Sequence, residues 1–341
     1  MNFAIVGCGI IADIHAKAIR FIEGSKLYAV CDIVPEKADQ FAKDFAVEKV
    51  YYSHHDLLAD PDVDIVCVCV PSGIHGEICI DTARAGKAIV CEKPMEITVE
   101  KIEEVIAVVE ETGVKMQCIF QRRMMPAAIY IRELIKSGHL GKIYTAEADL
   151  RYYRDQAYYD SAGWRGTWEL DGGGALMNQG VHGVDLILWM LDDEVDTLYG
   201  VAETLGRDIE VEDTAAALLR MKQGAVCSII STTTSYPGFS TTFKISGEKG
   251  SVAFSDKGIE LWSFIDEDTA PAKPNLNVEA VGGHKDPGAI SISGHIQLLE
   301  DIAIAVREDK EPLIPPSEAT LAVRAICGIY ESQQTKMPVR I

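Results

Sequence analysis

Over its first 118 residues the chain alternates two hydrophobic patterns. Short β-branched runs at Asn2–Val6, Lys26–Cys31, Val63–Val70, Ala88–Glu92 and Val114–Phe120 are nearly continuous in apolar side chains. Between them, at 10–22, 35–45, 75–85 and 99–111, apolar positions recur at helical spacing. The alternation predicts βαβ units, a doubly wound parallel sheet of the Rossmann kind with helices on both faces, and the absence of polar alternation in the strands fits that double burial. A helix over 124–141, with Pro126 in its first turn and Gly138 or Gly141 at its end, marks a boundary near 121–126.

Beyond that helix the runs lengthen and are joined by hairpin-like turns at Met221–Gly224, Gly247–Gly250 and Ser255–Gly258. The expectation is an α/β domain at 1–122, followed at 123–341 by an α+β domain with an open, mainly antiparallel sheet. Residues 265–290 read as a Pro/Gly-rich surface excursion, and 294–307 and 317–334 as two helices, the second packing back on the first domain.

Composition narrows the class. Hydrophobic residues at 48% and charged residues at 25% exclude a disordered chain. A net charge of −20 repels polyanions, so no nucleic-acid partner is expected. The longest apolar run, 63–71, is interrupted by Asp64 and is far shorter than the roughly 18 residues of a membrane helix. The N-terminal segment lacks an export signal, and nine cysteines without a CxxC pair fit free thiols in a reducing cytoplasm, with neither a disulfide framework nor a metal site.

Gly7-Cys8-Gly9-Ile10-Ile11-Ala12 follows the first strand and opens a helix, the context in which G-x-G-x-x-G/A binds a dinucleotide. Gly7 serves the tight turn, Gly9 the approach of the backbone to a pyrophosphate, and Ala12 the close packing of the helix. Asp32, twenty residues after Ala12 at the end of the second strand, suits an adenosine ribose and favours NAD over NADP. A carboxylate ahead of Pro35 can also serve as a turn or cap.

Three further segments stand out: Pro71-Ser72-Gly73-Ile74-His75, Glu92-Lys93-Pro94, and the run from Gly172 through Asn178 and His182 to Asp185. Together with the glycine turn they resemble the Gfo/Idh/MocA oxidoreductases, NAD(P)-dependent dehydrogenases of sugars, inositols and related polyols. The resemblance spans nearly the whole chain. It implies cofactor contacts from Gly7, Gly9, Ile10, Ile11, Asp32, Ser72, His75, Glu92, Lys93, Gln121, Trp164 and Arg165. It also implies substrate contacts from Lys93, Arg123, Tyr152, Trp164, Asn178 and His182.

Lys93 and His182 are the expected catalytic pair. Oxidation of a secondary alcohol needs a base for the hydroxyl proton, which suits His182, and a cation on the oxygen, which suits Lys93. The run 175–191 is helical by composition, and residues four apart share a face, so Asn178 and His182 are expected to project together into one site. Many relatives carry Asp four residues before the histidine; Asn178 cannot take a proton. Asp185 is a candidate orienter of His182, although a core histidine and a structural ion pair would explain both residues equally well. Arginines and aromatics at 151–168 suit a sugar or an anionic sugar derivative, or an ordinary half-buried strand and loop.

The implied function is NAD-dependent oxidation of a secondary hydroxyl of a sugar, inositol, glycoside or sugar derivative to a ketone, in a homodimer or homotetramer. The nucleotide-sugar or sugar-acid branch of the family is the nearest in motif. A lyase or glycosidase with recycled NAD, or a non-catalytic dinucleotide-binding regulator, are the alternatives.

Overall fold

The computed structural model describes residues 1–268, 270–276 and 291–341. The excursion expected over 265–290 therefore falls, for residue 269 and residues 277–290, outside the described residues. The chain forms two compact units, Met1–Gln121 with Ile292–Thr320 and Arg122–Ser291 with Leu321–Ile341.

In the first unit, β1 (Asn2–Val6), β2 (Lys26–Cys31), β3 (Lys49–Tyr51), β4 (Ile65–Val68), β5 (Ala88–Cys91) and β6 (Met116–Cys118) make a sheet in the order β3-β2-β1-β4-β5-β6. All its pairings are parallel. β4 and β5 are buried at every position, as their continuous apolar runs require. The connecting helices are α1 (Ile10–Ile19), α2 (Pro35–Phe45), the short α3 (His54–Leu58), α4 (His75–Arg84) and α5 (Val99–Thr112). Pro35 starts α2, and the Thr98 hydroxyl accepts from the Lys101 amide to cap α5. Strand order reverses between β1 and β4, the point outside whose carboxyl ends an open α/β sheet binds its ligand.

The second unit holds α6 (Pro126–Lys136), β7 (Ile143–Arg151), the short α7 (Gln156–Asp160) and α8 (Val181–Leu191). Then follow β8 (Val195–Glu203), β9 (Thr214–Met221), β10 (Val226–Thr232), β11 (Thr242–Gly247), β12 (Gly250–Ser255) and β13 (Gly258–Phe264). With β14 (Val339–Arg340) these strands form a mixed sheet, β13-β12-β11-β7-β10-β9-β8-β14. Only β7 and β10 run parallel; the expected hairpins β9/β10, β11/β12 and β12/β13 are all present. Strand β9 shows the one-sided burial of such a sheet: Ala215, Ala217, Leu219 and Met221 face the core while Ala216, Leu218 and Arg220 are exposed. α8 packs against α6 and β7.

Two long helices complete the chain, α9 (Ser293–Glu308) and α10 (Pro316–Thr335). α9 lies on α1, β5 and β6 of the first unit; α10, expected to pack back on that unit, belongs from Leu321 onward to the second, where Ile329 closes on Gly200 of β8 and Tyr330 meets Glu212. No helix among the described residues is long and apolar enough to cross a membrane, and all nine cysteines are free thiols.

Candidate functional site

In the first unit the site is built largely from backbone. Gly7 turns the chain off β1 with φ of +95°, and a Cβ there would lie 2.6 Å from the Cys69 carbonyl oxygen, so only glycine fits. Gly9 is the N-cap of α1 and offers no capping side chain, and the space where its Cβ would stand is empty. The first turn of α1 therefore opens on room for a phosphate, as the fingerprint requires. Ile10 is exposed at its rim, Ile11 is half-buried, and Ala12 is sealed against the sheet.

Asp32 sits just beyond β2. Its Oδ2 accepts from the Cys8 amide at 2.9 Å and its Oδ1 from the Val34 amide at 2.9 Å, which ties the carboxylate to the glycine turn. Half-buried rather than sealed, it keeps accepting capacity for a ribose hydroxyl. Gln121 ends the segment after β6, and its Oε1 is buried with no hydrogen-bond partner among the described residues. These residues fit a dinucleotide: an open, glycine-lined helix start, an anchored carboxylate and an unused acceptor.

Ser72 is buried and begins the 3-10 turn Ser72–Ile74 after β4. Two expectations need correction here. His75 is 2% exposed, with Nδ1 2.7 Å from the Pro94 carbonyl oxygen and Nε2 2.8 Å from that of Val70, so neither ring nitrogen is left for a ribose or phosphate. The Glu92 carboxylate also turns inward: Oε1 meets His15 Nε2 at 2.8 Å, and Oε2 accepts from the Lys93 amide at 3.2 Å. Burial pushes the Glu92 pKa up, but His15 and His295 outweigh it and hold the carboxyl well below its ordinary range. Lys93 itself is half-buried between these two sealed neighbours, in a loop whose Lys93–Pro94 peptide is cis.

In the second unit the site is held by side chains that reach across the sequence. The helix expected over 175–191 is not uniform. Ala175–Gly180 is a π-helical turn, with the Gln179 amide bonding the Gly174 carbonyl, and only Val181–Leu191 is α-helical. Asn178 thus lies in the wider turn and His182 at the start of the α-helix that follows it. Asn178 Nδ2 donates to Asp171 Oδ1 at 2.5 Å, and Gln179 donates to both the Asn178 amide oxygen and the Tyr158 hydroxyl. His182, at the start of α8, is half-buried.

The glycines ahead of the π turn serve close packing. A Cβ on Gly173 would lie 2.1 Å from the Tyr330 hydroxyl, and one on Gly174 2.2 Å from the Glu212 carbonyl. Glu212, which sequence reasoning missed, anchors this turn. Its carboxylate accepts from the amides of Gly174 (3.0 Å) and Leu176 (2.7 Å) and from the Tyr330 hydroxyl (3.0 Å). Burial nevertheless pushes its pKa up to about 7, against the opposing pull of those donors.

Arg123 is a third correction. Its guanidinium binds Asp185 in a fork, Nε to Oδ2 at 2.8 Å and Nη2 to Oδ1 at 2.7 Å, with both side chains 1% exposed. An arginine so enclosed cannot contact substrate, and the Asp185 carboxylate is engaged by Arg123. Tyr152 is buried, its hydroxyl without a partner among the described residues. Arg165 lies over the Tyr158 ring at 4.2 Å and near the half-buried Trp164, which leaves a stacked arginine–aromatic surface in this segment.

Both halves of the chain are similar to known proteins. Residues 1–120 match the oxidoreductase family with an NAD-binding Rossmann fold, and residues 129–253 match the GFO/IDH/MocA C-terminal domain. The scyllo-inositol 2-dehydrogenase (NAD(+)) of Bacillus subtilis is 27% identical over 99% of this chain and 95% of its own. The myo-inositol 2-dehydrogenase of Thermotoga maritima is 28% identical over 75% of each chain. Among solved structures, the WlbA dehydrogenase of Bordetella pertussis, in complex with NADH and UDP-GlcNAcA, is 31% identical. The superposition covers 100% of this chain and 98% of that one with a TM-score of 0.88. With the glycine turn, the anchored Asp32 and both halves of the chain matched, this protein belongs to the Gfo/Idh/MocA family and is an NAD-dependent oxidoreductase.

Proposed function

We propose that the protein oxidises a secondary CH–OH of a sugar, cyclitol or sugar derivative to the ketone, with a sugar acid carried on a nucleotide as the leading substrate class. The observation that carries the chemistry is the pairing, on the first unit, of an open glycine-lined helix start with a loop lysine held at the carboxyl end of β5. The full-length likeness to the UDP-GlcNAcA-bound dehydrogenase supports the substrate class, and so does the Arg165, Tyr158 and Trp164 surface, which suits a pyranose face and an anionic group.

Gly7, Gly9, Ile10, Ile11, Asp32, Ser72 and Gln121 would hold NAD, with Trp164 and Arg165 toward its nicotinamide half. Bound NAD supplies the hydride acceptor. His182 takes the hydroxyl proton, for which a neutral imidazole is suited near pH 7. Lys93 places a cation on the same oxygen and stabilises its alkoxide character. Asn178, fixed by Asp171, orients substrate and does not relay a proton, and Tyr152 lines the pocket.

The exposed face of the second unit's sheet supports self-association as a dimer or tetramer. Tyr199 stands opposite Leu218, and Ala216 between Val201 and Ile230, all on one exposed apolar patch. Nine free thiols fit a cytoplasmic setting.

The test is absorbance at 340 nm with NAD and a panel of myo-inositol, scyllo-inositol, levoglucosan, UDP-GlcNAcA and free uronic acids. Reduction of NAD by UDP-GlcNAcA or another uronate is expected. Reduction by inositols alone would move the substrate class, and silence across the panel together with failure to bind NADH would remove the proposal.

A further inference from the structure

Lys93 lies between two residues that buried histidines tie down. On one side the Glu92 carboxylate takes His15 Nε2 on Oε1 and the Lys93 amide on Oε2, while His295 Nε2 lies 3.5 Å from Oε1. His15 and His295 are 0% exposed. On the other side the Pro94 carbonyl meets His75 Nδ1, and His75 Nε2 meets the Val70 carbonyl.

A carbonyl oxygen only accepts. A neutral His75 ring carries one N–H and donates to one of these carbonyls; only a ring protonated on both nitrogens donates to both. The two contacts join the loop after β5 to the end of β4. The charged groups that face His75 are the carboxylates of Glu92 and Glu96, the latter also accepting from the Gly76 and Ile97 amides. Burial draws the His75 pKa below its ordinary value, and the two carbonyls and two carboxylates recover only part of that. His15 is held through a carboxylate instead. One nitrogen serves Glu92, the other is buried without a partner, and burial lowers its pKa, the pattern of a neutral donor.

We propose that His75, donating its Nδ1–H to the Pro94 carbonyl, and His15, acting through Glu92, clamp the backbone on the two sides of Lys93 and set its amine for the transfer. Both are positioning residues, which accounts for two sealed histidines beside the loop better than a contact with cofactor would. The inference rests on the role given to Lys93 above. It reaches beyond that role by assigning the accuracy of the lysine's placement to groups that touch neither substrate nor cofactor.

Nitrogen-15 NMR of the imidazole side chains in the full chain at pH 7 is expected to show His75 protonated on Nδ1 and His15 on Nε2. A His75 ring without a proton on Nδ1 would overturn the clamp. For kinetics, His75→Leu and His15→Leu are each expected to lower kcat at least about tenfold, within the loss of up to about a hundredfold that a 1 Å misplacement costs. NADH affinity should be unchanged, and His75→Gln and His15→Gln, which restore an N–H donor, should recover much of the rate.

Where the leucine variants do not fold, the NMR result and the glutamine variants decide: each glutamine variant should keep kcat within about tenfold of wild type. Folded leucine variants with wild-type kcat, or glutamine variants as slow as the leucine ones, would overturn the proposal. Lys93→Ala measured alongside separates the failures: if it turns over normally, the role of Lys93 falls with the clamp, and if it is inactive while the histidine variants are not, only the clamp falls.

Discussion

The two units hold their chemistry in opposite ways. In the first, backbone groups at strand ends do most of the work: the Gly7 turn, the open start of α1, and the amides of Cys8 and Val34 that tie Asp32 to that turn and to its own. In the second, side chains far apart in sequence hold the site. Glu212 anchors Gly174 and Leu176 from 36 to 38 residues away, and Arg123 meets Asp185 across 62. A backbone-built site depends on what the chain can do locally, whereas a site built from buried long-range pairs depends on the whole unit being folded. Substitutions in the first should therefore change binding or rate with little change in stability, and substitutions in the second should change stability first.

The largest expected effect sharpens this contrast. Lys93→Ala should lower kcat by about 10³, within the usual range for a positioned proton-handling or charge-stabilising group, with Tm and NADH affinity close to wild type. A comparable fall in Tm, seen by calorimetry, would erase the distinction. Next is Arg123→Met, which strands the buried Asp185 carboxylate and should cost roughly 3–5 kcal/mol of stability. Denaturant titration measures it, and a change below about 1 kcal/mol would show that the pair is worth no more than an exposed one.

Asp32→Asn comes third. Losing the charge at an anchored ribose acceptor should weaken NADH by an amount on the order of 1.5–3 kcal/mol and narrow the preference over NADPH. Fluorescence titration of both cofactors reads this, and an unchanged preference would break the assignment.

Glu212 gives the pH test. Its folded pKa, raised to about 7, exceeds the ordinary carboxyl value of 4.5, so the stabilising contribution is fully present below about 4.5 and is lost as pH rises through about 7. Thermal melts between pH 4 and 8 should show this slope, and Glu212→Gln should flatten it; an identical slope in the variant would mean that another group is responsible. The smallest effect is expected at Asn178→Asp, which sets a second carboxylate against Asp171 and should alter kcat by less than about tenfold while raising the pKa of the pair. A gain in rate there would restore a carboxylate relay.

The same contrast explains what the sequence made legible. The β1 turn, the Asp at the end of β2 and the loop after β5 could be located because each follows from a short pattern whose geometry is local. The parallel sheet and the hairpins of the second unit followed for the same reason. The roles of Arg123 and His75 did not follow, because nothing in the letters says that a partner 62 residues away will enclose the one, or that two carbonyls will occupy the other. Glu212 was invisible as well, an acidic residue ahead of a strand like many others. The π-helical turn at 175–180 has the composition of an α-helix; what marks it in the structure is the close packing of Gly173 and Gly174 against Tyr330 and Glu212.

Direct hydride transfer from substrate carbon to NAD is decided with the panel substrate that reduces NAD fastest, deuterated at the reacting carbinol carbon, and NMR of the resulting dinucleotide. One deuterium is expected at C4 of the nicotinamide ring and none in water, at a rate that collapses in His182→Ala and Lys93→Ala. Deuterium lost to solvent, or reduced cofactor without the label, would contradict it.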